Sequence, residues 1–272
     1  MFFERMYLSY NSNANARKLI FGEIENLSPK AVVHLGDLVS AGSLSTSWEE
    51  IDHFVGRLRD RKIDFVPIPG NHEYLFFSKA GISNFVQRFP SASLSGASRR
   101  YANVAVILIN SNFDELPEQD RTGQLRWFRK TLIDDESDPS IDFIIVGSHR
   151  PPFTNSKLVS GSKEIREYYL PDFYKSRKAR LFLSGHAHAY EHFKSNGKDF
   201  LTIGGSGGLQ HPLRLGDEAE YQDVFSHSLE KRMFHFLMVE SHGDTLTVAV
   251  KMLNSDFKGF ETLPQLIFVR ER

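Results

Sequence analysis

The chain has 272 residues, with 33 Lys and Arg against 34 Asp and Glu, 11 His and no Cys. A formal charge of −1 argues against a broad nucleic-acid footprint or a polybasic membrane anchor, and 40% hydrophobic with 12% aromatic residues excludes a disordered or collagen-like chain. Without cysteine there are no disulfides, iron–sulfur clusters or thiolate sites, so any metal must be held by nitrogen and oxygen.

No apolar run approaches the roughly 18 residues of a membrane span, and Glu4 and Arg5 interrupt the N-terminus before a signal-peptide core. The expectation is a cytoplasmic chain with neither membrane nor nucleic acid as partner. No linker or fixed-period repeat divides it, so residues 1–272 read as a single domain.

In chain order, Leu19, Ile20, Ile24 and Leu27 share one face of a first helix, and Ala31–Leu35 reads as a buried strand. Trp48, Ile51, Phe54, Val55 and Leu58 share a face of a second helix, opened by Ser47 three residues before Glu50 in a capping-box pattern. Arg57, Arg59, Arg61 and Lys62 form its wet face. Strands follow at Phe65–Ile68, Val104–Ile109, Asp142–Val146, Arg180–Leu183 and Phe200–Ile203, with a helix over Gln124–Leu132 burying Leu125, Phe128 and Leu132. Phe234–Val239, Thr245–Val250 and Leu266–Val269 are β-rich, with turns at Gly243-Asp244 and Asn254-Ser255-Asp256. The fold class is mixed α/β.

Polar residues cluster just after the buried strands: Gly36-Asp37, Gly70-Asn71-His72-Glu73, Gly147-Ser148-His149 and Gly185-His186-Ala187-His188. Open α/β sheets gather ligands outside the carboxyl ends of their strands, so the four blocks can converge. If strand geometry persists past Leu183, His186 and His188 point the same way. One Asp, one Asn and three His suit borderline divalent metals such as Mn, Fe, Ni, Co or Zn. A carboxylate can bridge two such ions roughly 3.5–4 Å apart, which activate water and neutralise a phosphoryl group, while an unligated histidine protonates the leaving group.

These blocks, in this order over residues 36–188, resemble the calcineurin-like metallophosphoesterase superfamily, and Tyr190-Glu191-His192 with Gly204–Gly208 is similar to its purple-acid-phosphatase-like branch. The resemblance implies a central β-sandwich flanked by helices, a four-layer α/β/β/α fold. It implies two divalent metal ions, with Asp37 bridging, Asn71, His149 and His186 completing one position, and His188 binding the other. His72 matches the family's non-ligand catalytic histidine. The implied reaction is hydrolysis of a phosphate mono- or diester by a metal-bound hydroxide, on a phosphorylated small molecule or phosphoprotein.

Two departures stand out. The family opens with Asp-x-His or Asp-x-Gln on a first strand, whereas this chain reads Tyr7-Leu8-Ser9-Tyr10-Asn11-Ser12 ahead of its first helix, and its first aspartate is Asp37. His192 stands where related sequences often carry Arg. The expectation is that a first strand is missing upstream, leaving a slot beside Ala31–Leu35 and a first metal position with only Asp37 and His188. A degenerate member that binds phosphorylated ligands without turnover is the alternative. A metal-dependent amidohydrolase is disfavoured because its His-x-His would fall near the start of the chain.

Turn chemistry alone could explain Asp37 and Asn71, and a rigid turn His149 with Pro151-Pro152. His34 reads as a hydrogen-bonded core histidine. His53, His211, His227, His235 and His242 lack motif context and read as structural or exposed. Gly204–Gly208 could cradle a phosphate or simply turn, and Arg150 could contact a substrate phosphate. Substrate choice would rest with the loops Tyr74–Ser83 and Thr154–Tyr169.

Overall fold

The computed structural model describes residues 13–225, 231–232 and 234–271. Its centre is a mixed sheet in the order β3 (Ala97–Tyr101), β4 (Val104–Ile109), β5 (Phe143–Ser148), β6 (Ala179–Ser184), β8 (Lys198–Ile203) and β7 (Tyr190–Ser195). Strands β4, β5, β6 and β8 run parallel, and β3 and β7 close the edges antiparallel.

The continuous apolar run of β4 has a simple cause: both faces are covered. Val104, Val106 and Leu108 face one buried cluster, while Ala105, Ile107 and Ile109 face another. Across the first cluster lie a parallel pair, β1 (Ala31–His34) with β2 (Asp64–Pro67), and an antiparallel sheet of β9 (His235–His242), β10 (Thr245–Leu253), β11 (Phe260–Thr262) and β12 (Leu266–Val269). Helices α1 (Asn13–Leu27), α2 (Glu49–Asp60) and α4 (Ser78–Arg88) cover β1 and β2, with the short α3 (Asn71–Tyr74) between β2 and α4. On the far side, α5 (Glu118–Ser137) and α6 (Leu170–Lys175) cover the mixed sheet through Phe128, Leu132 and Phe173. The layers are helix, sheet, sheet, helix, as the resemblance implies.

Several local expectations need correction. Leu27 is exposed; the inward face of α1 is Ala16, Ile20, Phe21 and Ile24. Trp48, not Ser47, precedes α2, and no side chain caps it, because Ser45–Ser47 is a turn of 3₁₀ helix and Glu50 pairs instead with Arg17 at 2.8 Å. Leu125 is half-buried, its place inside taken by Gln124, which bonds the backbone of Asn110 and the hydroxyl of Tyr169. Gly243 at φ +63° makes the β9–β10 turn. His227 lies outside the described residues.

Among the described residues β1 pairs with β2 alone. Along its other side runs a groove of about 1370 Å³, walled by Ala31, Val32 and Val33 of β1 and Phe236 and Met238 of β9, with Val106, Leu108, Ile145 and Leu183 below. The strand and ligands expected ahead of α1, and Tyr7–Ser12, lie outside the described residues. Among those residues no helix is long and apolar enough to cross a membrane.

Candidate metal centre

Each site residue sits where a parallel strand ends and the backbone turns sharply. After β1, Gly36 and Asp37 both take positive φ, +89° and +55°. A side chain at Gly36 would collide with the backbone of Gly70 and the ring of His149, and one at Gly70 would collide with the Asp37 carboxylate. Only glycine lets these two loops approach so closely.

Glu73, fully buried on α3, ties them together. Its carboxylate accepts the backbone N–H of Asp37 at 2.9 Å, of Leu38 at 2.8 Å and of Gly70 at 2.6 Å. Burial and the neighbouring Asp37 charge push its carboxyl up to about 7. The sequence carried a signal for this contact, since an acidic residue three positions after a helix cap reaches back to the cap N–H.

At the end of β5, His149 is 1% exposed and donates Nδ1–H to the carbonyl of Leu35 at 2.7 Å. That bond makes Nδ1 a donor and turns Nε2 toward the other site residues. Three atoms able to accept converge on this nitrogen: Asp37 Oδ2 at 3.2 Å, Asn71 Oδ1 at 3.0 Å and His186 Nδ1 at 3.1 Å. Donor atoms of Asp37, His149 and His186 all lie within 4.8 Å of one another. Three such atoms around one buried ring nitrogen call for positive charge among them, supplied by a proton on Nε2 or by a metal ion in its place. One carboxylate, one amide oxygen and two imidazoles make a chemically suitable set for a borderline divalent metal.

The electrostatics follow from the crowding. Burial opposes ionisation of Asp37, but His149 and His72 more than offset it and hold the carboxyl well below its usual range. Burial, then the charge of His149, pushes His186 down to about 3, and burial lowers His188. At His149 burial also disfavours the charge, but Asp37 more than offsets it and raises the pKa, so a bound metal would displace the proton on Nε2.

His186 and His188 do not continue a strand: β6 ends at Ser184, and His186 has φ +61°. The turn sends His186 into the cluster. It leaves His188 beside it, with Nδ1 bonded to the carbonyl of Leu209 at 2.8 Å and Gly208 packed so closely that a side chain there would meet the ring. His72 anchors through Nδ1 on the carbonyl of Ser40 at 2.7 Å, which leaves Nε2 3.9 Å from Asp37 Oδ2. Five of the six expected site residues, Asp37, His72, His149, His186 and His188, line the groove, and Asn71 joins them through His149. Four meet at one point, and His72 and His188 flank them.

Other expectations resolve differently. Among the described residues the Nδ1 of His34 has no hydrogen-bond partner, and burial pushes this side chain down to about 4. Gly204, Gly205, Gly207 and Gly208 admit the close approach of Ala187, His235, Arg17 and His188, so the run packs against side chains rather than standing open. His192 bonds Asp199 at 2.6 Å on the edge of the mixed sheet. Missed by the sequence reading is His211, buried against His188 with ring centres 4.4 Å apart; it lies in no motif, and only the folded chain brings it there.

No curated protein matches the sequence. Among solved structures, it is similar to GAP50, the anchor in the inner membrane complex of Plasmodium (15% identity, 96% of this chain, 85% of the other, TM-score 0.70). It is also similar to a dimetal phosphatase from Danio rerio (15% identity, 96% and 90% covered, TM-score 0.62) and to PhoD (9% identity, 92% and 67% covered, TM-score 0.55). At such identities these neighbours establish the fold alone. The family pattern of the calcineurin-like phosphoesterases matches residues 10–190, two thirds of the sequence. The chain belongs to the calcineurin-like phosphoesterase family.

Proposed function

We propose that the protein hydrolyses phosphate mono- or diesters in a metal-dependent reaction. The observation that carries this reading is the convergence of Asp37, Asn71 and His186 on His149 Nε2. In it, Asp37, Asn71, His149 and His186 hold one divalent ion, and Asp37 with His188 holds a second. Bound ions supply Lewis-acid polarisation of the phosphoryl group and neutralise its charge.

The protein's own groups do the rest. Leu35 and Leu209 fix His149 and His188 through their carbonyls, so each ring presents Nε2 to the site. With Nδ1 of His72 committed to Ser40, its Nε2 is the atom free to carry a proton to the departing alkoxide. The substrate is a phosphorylated small molecule or phosphoprotein whose phosphoryl group enters the cavity bounded by these histidines.

The test is hydrolysis of an aryl phosphate monoester and a bis-aryl diester, with Mn²⁺ and after EDTA. EDTA-sensitive turnover of either ester is expected. A folded, metal-loaded protein that binds phosphate but hydrolyses neither ester would favour the ligand-binding alternative.

A further inference from the structure

We propose that His211 is a phosphate-binding residue, donating a hydrogen bond from Nε2 to a non-bridging oxygen of a phosphoryl group held beside Asp37, His149 and His186. The inference rests on the phosphoesterase reading and adds a substrate contact that lies outside its motifs.

The tautomer of His211 is settled by its neighbours. Ser156 Oγ accepts the backbone N–H of Leu158 at 3.1 Å and of Val159 at 3.3 Å. With its lone pairs engaged, the hydroxyl hydrogen is left to point at His211 Nδ1, 3.2 Å away. The backbone N–H of His188 reaches the same nitrogen at 3.2 Å. Two donors aimed at Nδ1 make it the acceptor, so the neutral ring carries its hydrogen on Nε2.

The ring is also held in place. The backbone N–H of His211 bonds the carbonyl of His188 at 3.0 Å, and Lys157 N–H bonds the carbonyl of Pro212 at 2.9 Å, pinning the two loops together. His211 is 7% exposed, yet it lines the same groove as the metal centre. With Nδ1 occupied and the residue lining the groove, Nε2 is the ring atom left to donate to a ligand there. A ring N–H held in place at the wall of the groove bonds an anion more strongly than it bonds a neutral acceptor.

Two substitutions separate this role from simple support of His188. His211→Asn places an amide oxygen near the position of Nδ1, keeping the acceptor for His188 and Ser156 while deleting the donor. His211→Gln places an amide nitrogen near the position of Nε2 and keeps the donor. The Mn²⁺-loaded proteins are titrated calorimetrically with inorganic phosphate, after their metal content is measured. His211→Asn should bind phosphate about tenfold more weakly with unchanged metal content, and His211→Gln should stay within about threefold of the parent.

Equal phosphate affinity in His211→Asn overturns the proposal. So does loss of metal from that variant, which would mean that the residue acts through His188, and so does an equal loss in His211→Gln. Should His211→Asn not fold, His211→Leu, which fills the same space without a donor, is expected to weaken phosphate binding about tenfold with metal content unchanged, and no change there also overturns it. Failure of the parent protein to bind phosphate when metal-loaded would instead overturn the phosphoesterase reading.

Discussion

The carboxylate of Glu73 accepts the backbone N–H of Asp37 at 2.9 Å, so one buried anion holds the loop that carries another. The same carboxylate grips Leu38 and Gly70, joining the ends of β1 and β2. This is a geometric clamp on the metal centre. Replacing it with an amide turns one acceptor into a donor facing N–H groups. Glu73→Gln should therefore weaken Mn²⁺ binding by about tenfold and cost on the order of 2 kcal/mol of stability. Calorimetric titration with Mn²⁺ and urea unfolding check the two numbers. Parent-like metal affinity in the folded variant would contradict the clamp.

His72 tests the proton-transfer role. His72→Ala should leave metal content unchanged and lower kcat by about 10²–10⁴ on alkyl phosphates. The loss should shrink on aryl phosphates with acidic leaving groups, which depart without a proton. A Brønsted series of leaving groups measures this, and equal losses across it would show that His72 is not the acid.

Glu191 offers a pH test away from the metals. It is fully buried, accepts bonds from the Thr154 hydroxyl at 2.5 Å and the Asn155 N–H at 2.6 Å, and is pushed by burial from 4.5 up to about 7. Because the folded value is raised, the unfolded chain releases this proton first. The stability contributed is complete below about 4.5 and is lost as pH rises through about 7. Urea unfolding at pH 5 and pH 7.5 should show the parent losing up to about 3 kcal/mol more than Glu191→Gln between those conditions. Identical pH profiles would refute it.

What could be read from residues alone follows from burial. Strand β4 spans the expected Val104–Ile109 because layers on both faces demand an unbroken apolar run. Strand β3 went unread because Ala97-Ser98-Arg99-Arg100-Tyr101 lies at an edge, where Arg100 pairs outward with Asp135 and Asp138. Helix α4 also went unread, since only Gly81 and Phe85 face fully inward. The blocks around Asp37, Asn71, His149 and His186 were legible because glycine and metal-ligand chemistry leave a local signature. Their convergence, the reach of Glu73 beyond its own helix cap to Asp37 and Leu38, and the place of His211 depend on contacts between distant segments, which no single stretch encodes.

The central claim is that Asp37 anchors a metal on which turnover depends. The most direct measurement is to strip the protein with EDTA, add Mn²⁺ back stepwise, and follow bound metal per chain together with aryl phosphate hydrolysis, for the parent and for Asp37→Asn. Activity should return in step with bound metal in the parent, and Asp37→Asn, folded by circular dichroism, should regain neither. A stripped parent that still hydrolyses the ester, or an Asp37→Asn variant that keeps both metal and turnover, would contradict the account.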